Sequence, residues 1–407
     1  MKIKFLGLSG HLRSGAPGHY ETFHRGLHRS FQENVDVFSC DFFGSRITYD
    51  EQVTWFSACI PETFTSTVPW LSKSFFKQIS HENHATSGVL VLYIYEGNLA
   101  NLFLLGSIAR RESNVFLYFN LFNSYRYMPI LSSRIRLLTF RTLFSLASRG
   151  LDRKVFLSAD TKRFAELLID KLGKKFSEYP MYSALDFQLS PGKQGKKILI
   201  NFRGQRSEEL MKSAIERFPA LQGLELDLHG LQDQSIIQDL SRFPNITFLP
   251  NQVDESTYFS MYKYYYRVAF IYDPDFFSMQ SSGRLADAIL AGAQLVVPRN
   301  TSLEDVLNES GNGNTFSFSS CESLASALIS EPTIPKRADY LPSSSRAAQV
   351  ILNSMEELIK ESGSVLDQQY RRAINIALDE SIRRVLWSLR IVFGVGNRLR
   401  RFFKRKT

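Results

Sequence analysis

Ile271–Pro298, IYDPDFFSMQSSGRLADAILAGAQLVVP, is the stretch whose reading decides the fold. Arg267 to Tyr272 forms a short apolar, β-favouring run, whereas Leu285, Ala288, Ile289 and Gly292 recur at the spacing of one buried helical face. A polar loop separates them, and Leu295 to Val297 restarts a strand. Strand, loop, helix and strand in this order make one unit of a parallel sheet. Asp287 lies off the apolar face in this reading. Ser281 or Ser282 is expected to cap the helix, leaving the backbone N–H groups of Gly283 and Arg284 and the positive end of the helix dipole directed into the loop. A diphosphate fits such an end. Asp287, about one turn further on, is then placed to accept hydrogen bonds from ribose hydroxyls. The bland alternative is an ordinary αβ unit with a solvated aspartate.

The same alternation extends in both directions. Upstream, Lys2 to Leu6, Val35 to Ser39, Gly88 to Tyr95, Asn114 to Asn120 and Lys154 to Ser158 read as strands. Helical patterns run from His19 to Phe31, Leu99 to Arg111, Pro129 to Ser148 and Thr161 to Leu172. A Pro/Gly/Lys stretch, Leu189 to Lys197, has the composition of a linker. After it, strands at Lys197 to Phe202, Leu224 to Leu228, Ile246 to Leu249, Arg267 to Tyr272 and Leu295 to Val297 alternate with further helices. From Pro342 the pattern is helical to the end. The expected fold class is α/β: two Rossmann-like, doubly wound parallel sheets facing a cleft, with C-terminal helices.

DAILAGAQLVVP resembles the second half of the donor-site signature of retaining GT-B glycosyltransferases, where two Glu residues eight positions apart precede a small-residue and apolar run. The resemblance implies an acceptor domain at 1–190, a nucleotide-sugar donor domain at 191–342 and a helical segment at 343–407 that braces the first domain. It assigns Asp287 to the ribose. Eight residues earlier stands Met279 rather than Glu, so the donor-sugar carboxylate of the family is missing at its place. Gln280 or Asp275 could substitute. The loop INFRGQRSEELMK presents Arg203 and Arg206, with Lys212 further along, to the diphosphate; Ser282, Gly283 and Arg284 complete that group. Fixed cations there would offset charge developing on the leaving nucleoside diphosphate.

On the other side of the cleft, the Gly-rich loop after the first strand holds Gly15, Gly18 and His19. It lacks the GxGxxG spacing of a dinucleotide fingerprint. His19 and Glu96, which ends the apolar run VLVLYIYEG, are the candidate catalytic or acceptor-contacting residues; His24 and His28 read as structural. Asp273-Pro274-Asp275 has the DxD spacing used by metal-dependent GT-A enzymes, but a whole αβ half precedes it. The resemblance implies a glycosyltransferase with no cofactor and no obligatory metal. A non-catalytic scaffold of the same fold is the alternative that Met279 motivates.

At 407 residues the chain exceeds the size of one core. Cys40, Cys59 and Cys321 lie far apart, which argues against a disulfide framework and for a reducing compartment. Neither a signal peptide nor an uncharged run of about 20 residues is visible. The net charge is +9, and Arg371–Thr407 alone carries eleven basic and two acidic residues, so the tail holds the whole excess. There, Ile382, Val385, Leu386, Leu389, Val392 and Phe393 interleave with Arg383, Arg384 and Arg390 at helical spacing. This composition suits an anionic membrane interface better than nucleic acid. The implied partners are a nucleotide sugar, a glycan or lipid-linked acceptor, and the cytoplasmic face of a membrane. A core helix with a loose basic end is the plainer reading.

Overall fold

The computed structural model describes residues 3–8, 26–27, 29–33, 37–43, 88–95, 97, 99–122, 124–183, 197–251, 257, 262, 264–309, 315–331 and 343–363. Gly15, Gly18, His19, His24, His28, Glu96, the linker residues 189–196 and the basic tail lie outside them.

Two six-stranded parallel sheets organise the chain. The first contains β1 (Ile3–Leu8), β2 (Val37–Phe43), β3 (Val89–Ile94), β4 (Val115–Leu121), β5 (Val155–Ala159) and β6 (Ser177–Glu178), in the order β2-β1-β3-β4-β5-β6. The second contains β7 (Lys197–Arg203), β8 (Glu225–His229), β9 (Ile246–Leu249), β10 (Arg267–Tyr272), β11 (Gln294–Pro298) and β12 (Thr315–Phe318), in the order β12-β11-β10-β7-β8-β9. In both, the order reverses beside the first strand, and ligand crevices of open α/β sheets form at such switch points.

Helices α1 (Leu99–Arg111), α2 (Ser124–Leu131), α3 (Arg134–Ser148) and α4 (Lys162–Leu172) cover one face of the first sheet. β3 shows the period of two that makes this work: Leu90, Leu92 and Ile94 join the core under those helices. Val91, Tyr93 and Tyr95 face the opposite core with Leu27, Phe31 and the C-terminal helix. That helix, α11 (Ser344–Gly363), inserts Ala347, Ala348, Ile351, Leu352 and Met355 against Phe5, Val91 and Tyr93, so the end of the described chain braces the first sheet. The second sheet is flanked by α5 (Gln205–Arg217), α6 (Gln234–Leu240), α7 (Pro274–Phe277), α8 (Gly283–Leu290), α9 (Ser302–Glu309) and α10 (Cys321–Ile329). Its central strands β10 and β11 are buried along their whole length, which explains why VAFIY and LVVP are continuously apolar rather than alternating.

The helix expected over 129–148 is two helices. α2 carries Pro129 and stops at Leu131, and Ser133 is extended (φ −103°, ψ 122°) before α3 starts. Strand β12, helix α9 and the single turn α7 were not read from sequence; Asp273 caps α7 by accepting from the Asp275 amide at 3.0 Å. No helix among the described residues is long and apolar enough to cross a membrane.

Candidate functional site

The loop 277–282, between α7 and α8, is clamped from both lobes. Thr161, which caps α4, donates its hydroxyl to the Met279 carbonyl at 2.7 Å, and Met279 packs against the core of the first lobe. Asp160 accepts from the Ser281 hydroxyl at 2.5 Å and from the Ser281 amide at 3.2 Å. From the second lobe, Ser302 donates to the carbonyls of Phe277 and Gln280. Beside the loop, Arg163 grips Asp305 with both arms of its guanidinium, the longer contact at 2.6 Å. Met279 therefore occupies the place of the expected carboxylate because that position is a seam between lobes.

Behind this clamp lies a cavity of about 460 Å³. Its walls come from the C-terminal ends of the strands in both sheets. The first lobe contributes Tyr95 after β3, Phe122 after β4, Asp160 after β5, and Tyr179 and Met181 after β6. The second contributes Arg203 and Gly204 at the end of β7, His229 and Gly230 at the end of β8, Asn251 after β9, and Gln280 to Arg284 leading into α8. One wall is aromatic, with Tyr95 packed on Phe122 (4.8 Å between ring centroids) and Tyr179 (5.2 Å). The opposite wall is cationic.

Four of the six binding residues expected from sequence meet here: Arg203, Ser282, Gly283 and Arg284. Ser282 occupies the N-cap of α8 with no side-chain bond, and the Ser281 hydroxyl goes to Asp160, so neither serine plugs the positive end of the helix as expected. Arg203 is exposed and lies over the rings of Phe276 and Phe277, 5.4 and 5.8 Å from their centroids. Gly204 has φ +103°, and a Cβ there would come within 3.1 Å of the Asp273 side chain, so this turn brings backbone close to the switch point.

Arg206 is not on the wall. It pairs with Asp275 at 2.9 Å on the open surface, which also accounts for one carboxylate of the DxD spacing; the other is the α7 cap. Lys212 pairs with Asp239. Asp287 corrects the expectation of an off-face, solvent-directed carboxylate. It is 0% exposed, does not line the cavity and accepts from the Ser183 hydroxyl at 2.6 Å. The reason is that α8 is buried on every side from Leu285 to Leu290, between its own sheet and the segment leaving the first lobe. No ribose contact is assigned to it in this geometry.

The residue missed from sequence is His229. Arg284 Nη1 lies 2.8 Å from His229 Nδ1 and donates to Asn201 Oδ1 at 3.2 Å. A guanidinium only donates, so Nδ1 accepts and the imidazole proton sits on Nε2. Burial first, and the Arg284 charge second, push the imidazolium pKa down to about 4, so His229 is neutral. His229 Nε2 and Asn201 Nδ2 are buried donors with no acceptor among the described residues. The sequence signal was positional: His229 ends a strand of a parallel sheet, where side chains open on the crevice.

No family model matches the chain, and no curated protein matches it. Among solved structures it is similar to sucrose-phosphate synthase from Thermosynechococcus elongatus (12% identity over 92% of this chain and 99% of that one, TM-score 0.49). HepE of Anabaena in complex with UDP is similar at 13% identity over 90% and 100%, TM-score 0.48. A third is UDP-GlcNAc 2-epimerase from Methanocaldococcus jannaschii, at 10% identity over 87% and 100%, TM-score 0.44. At these identities and scores the likeness gives this chain neither an activity nor a ligand.

Proposed function

We propose that the chain is a glycosyltransferase that binds a nucleotide sugar in this cavity and transfers the sugar, with retention, to an acceptor hydroxyl. The observation that carries the reading is the convergence of Arg203, Arg284 and the uncapped N-terminus of α8 on one crevice at the switch point of the second sheet. Cations and helix amides fixed at one place, in a partly closed site, favour a diphosphate and favour it more as charge builds on the leaving oxygen. No metal is needed for that stabilisation in this proposal. The unpartnered N–H groups of His229 and Asn201 add neutral donors beside Arg284, suited to a phosphate oxygen. The aromatic wall of Tyr95, Phe122 and Tyr179 suits the apolar face of a sugar ring. Glu96 follows Tyr95 directly, and with His19 it is proposed to contact the acceptor, a glycan or lipid-linked molecule in surface polysaccharide or glycolipid assembly.

Met279, locked into the first lobe, favours a second reading in which the same fold is a non-catalytic scaffold. Incubation with a panel of nucleotide sugars and candidate acceptors separates them. The enzyme releases nucleoside diphosphate and a glycosylated product, and the release slows strongly in Arg284→Ala; no release with any donor rejects the enzyme.

A further inference from the structure

Helix α3 has an outer face that the core does not explain. Phe140, Phe144 and Ala147 point inward, while Arg134, Ile135, Leu138, Thr139, Arg141, Thr142, Ser145 and Arg149 are exposed. At about 100° per residue these eight positions fall within an arc of about 160°. Ile135 and Leu138 are 81% and 67% exposed, the two highest values among large apolar side chains of the described residues. Single exposed apolar residues are ordinary, but here two lie three positions apart on one face and are framed by arginines.

Along the chain, the charge on either side of them has one sign. From Ser113 to Leu151 the sequence contains five arginines and no aspartate or glutamate. Among the described residues Arg134, Arg141 and Arg149 form no ion pair. Exposed guanidinium groups flanking protruding Ile and Leu side chains match the headgroup and acyl layers of an anionic lipid surface, the charges at the phosphates and the aliphatic tips just below. A second copy docking the same face would set arginines against arginines. Nucleic acid would leave Ile135 and Leu138 without an apolar contact.

We propose that this face of α3 docks the first lobe on an anionic membrane surface, as a contact separate from the basic C-terminal tail. The proposal stands on the helix face and does not depend on what the cavity binds. α3 follows closely on α2, whose Tyr125 stacks on Phe276 of the second lobe at 4.7 Å beside the cavity-lining Phe277, so the docked face lies on the lobe that packs against this part of the cleft rim.

The test is vesicle cosedimentation of the full chain with phosphatidylcholine alone and with phosphatidylcholine–phosphatidylglycerol mixtures. The wild type is expected on the mixed vesicles only. Arg134→Gln/Arg141→Gln should weaken partition about thirtyfold, the effect of two surface charges at the usual strength per charge near an anionic leaflet. Ile135→Ser/Leu138→Ser should weaken it by about tenfold or more. All four positions are exposed, and unchanged thermal melting by circular dichroism verifies that each variant folds. Leu138→Trp supplies a direct readout: its emission should move to the blue on mixed vesicles and be quenched by brominated lipid. Wild-type partition in both double variants, with no change in Leu138→Trp emission, overturns the proposal and leaves any membrane binding to the tail. A dimer that dissolves in Ile135→Ser/Leu138→Ser, or binding to single-stranded DNA that depends on Arg134 and Arg141 but not on Ile135 and Leu138, overturns it in favour of those partners.

Discussion

Arg284 sets the chemical state of its neighbours as well as the charge of the cavity. With its Nη1 on His229 Nδ1 it fixes one tautomer, and its charge adds to burial, the larger cause, in keeping the imidazole neutral. Replacing it by Met should raise the His229 pKa only in part, since burial, the larger cause, remains, and the imidazole NMR shifts report the change. Because the folded-state value, about 4, lies below the ordinary 6.5, the unfolded chain takes up a proton first as pH falls. The stability from a neutral His229 is therefore whole above pH 6.5 and is lost toward pH 4, by at most about 3 kcal/mol. As pH falls from 6.5 to 4, the urea midpoint of wild type should drop relative to that of His229→Gln, which has no group to titrate there. Asp287 is expected to act on folding: Asp287→Ala strands the Ser183 hydroxyl in a sealed contact and should cost about 1–3 kcal/mol in urea unfolding, with Ser183→Ala in a double-mutant cycle accounting for part of it. That Arg203, Arg284 and Gly283 line the crevice was legible because strand ends and helix starts are local features. It misread Asp287 because what covers α8 comes from residue 183, more than a hundred positions away. His229 escaped notice for a related reason: nothing in LELDLH shows which strand end opens on a cavity until the order of strands is known.

At the scale of elements, the strand–turn–helix joints at β7 and β8 bring backbone to the cavity, and both turn on glycine. Gly204 has φ +103° and Gly230 φ +95°; a Cβ at Gly230 would approach the Phe202 carbonyl oxygen to 2.8 Å. Gly204→Ala meets a softer neighbour, so its cost is mainly conformational, about 1–2 kcal/mol. Gly230→Ala must also displace backbone and should cost more, an order that chemical unfolding of the two variants checks. Most elements were legible because their periods are unambiguous: β4 is apolar but for Asn120 and α4 shows one buried face at Phe164, Ala165, Leu168 and Leu172. The break between α2 and α3 was not, since SSRIRLL can continue a helix on propensity alone and only packing decides that Ser133 is extended. β12, four residues long, is defined by its pairing with β11 rather than by any pattern of its own.

Across the whole molecule, two parallel sheets point their strand ends at each other, and the second lobe reaches over to the first through a loop held by Thr161, Asp160 and Ser302. Arg163 and Asp305 add an ion pair to the same seam. The two-sheet plan was readable from the alternation of patterns about a Pro/Gly/Lys linker. The seam was not, because its partners lie more than a hundred residues apart and no local signal pairs Asp160 with Ser281. Within the second lobe, the end of β7 puts Arg203 on the cavity wall while Arg206, three residues on, faces Asp275 outside it. Isothermal titration of a nucleoside diphosphate panel into wild type, Arg203→Ala, Arg284→Ala and Arg206→Ala tests this most directly. The account predicts saturable binding of at least one diphosphate, weakened by about 1–3 kcal/mol in Arg203→Ala and Arg284→Ala and unchanged in Arg206→Ala. Absence of binding in the wild type, or a loss confined to Arg206→Ala, would contradict it.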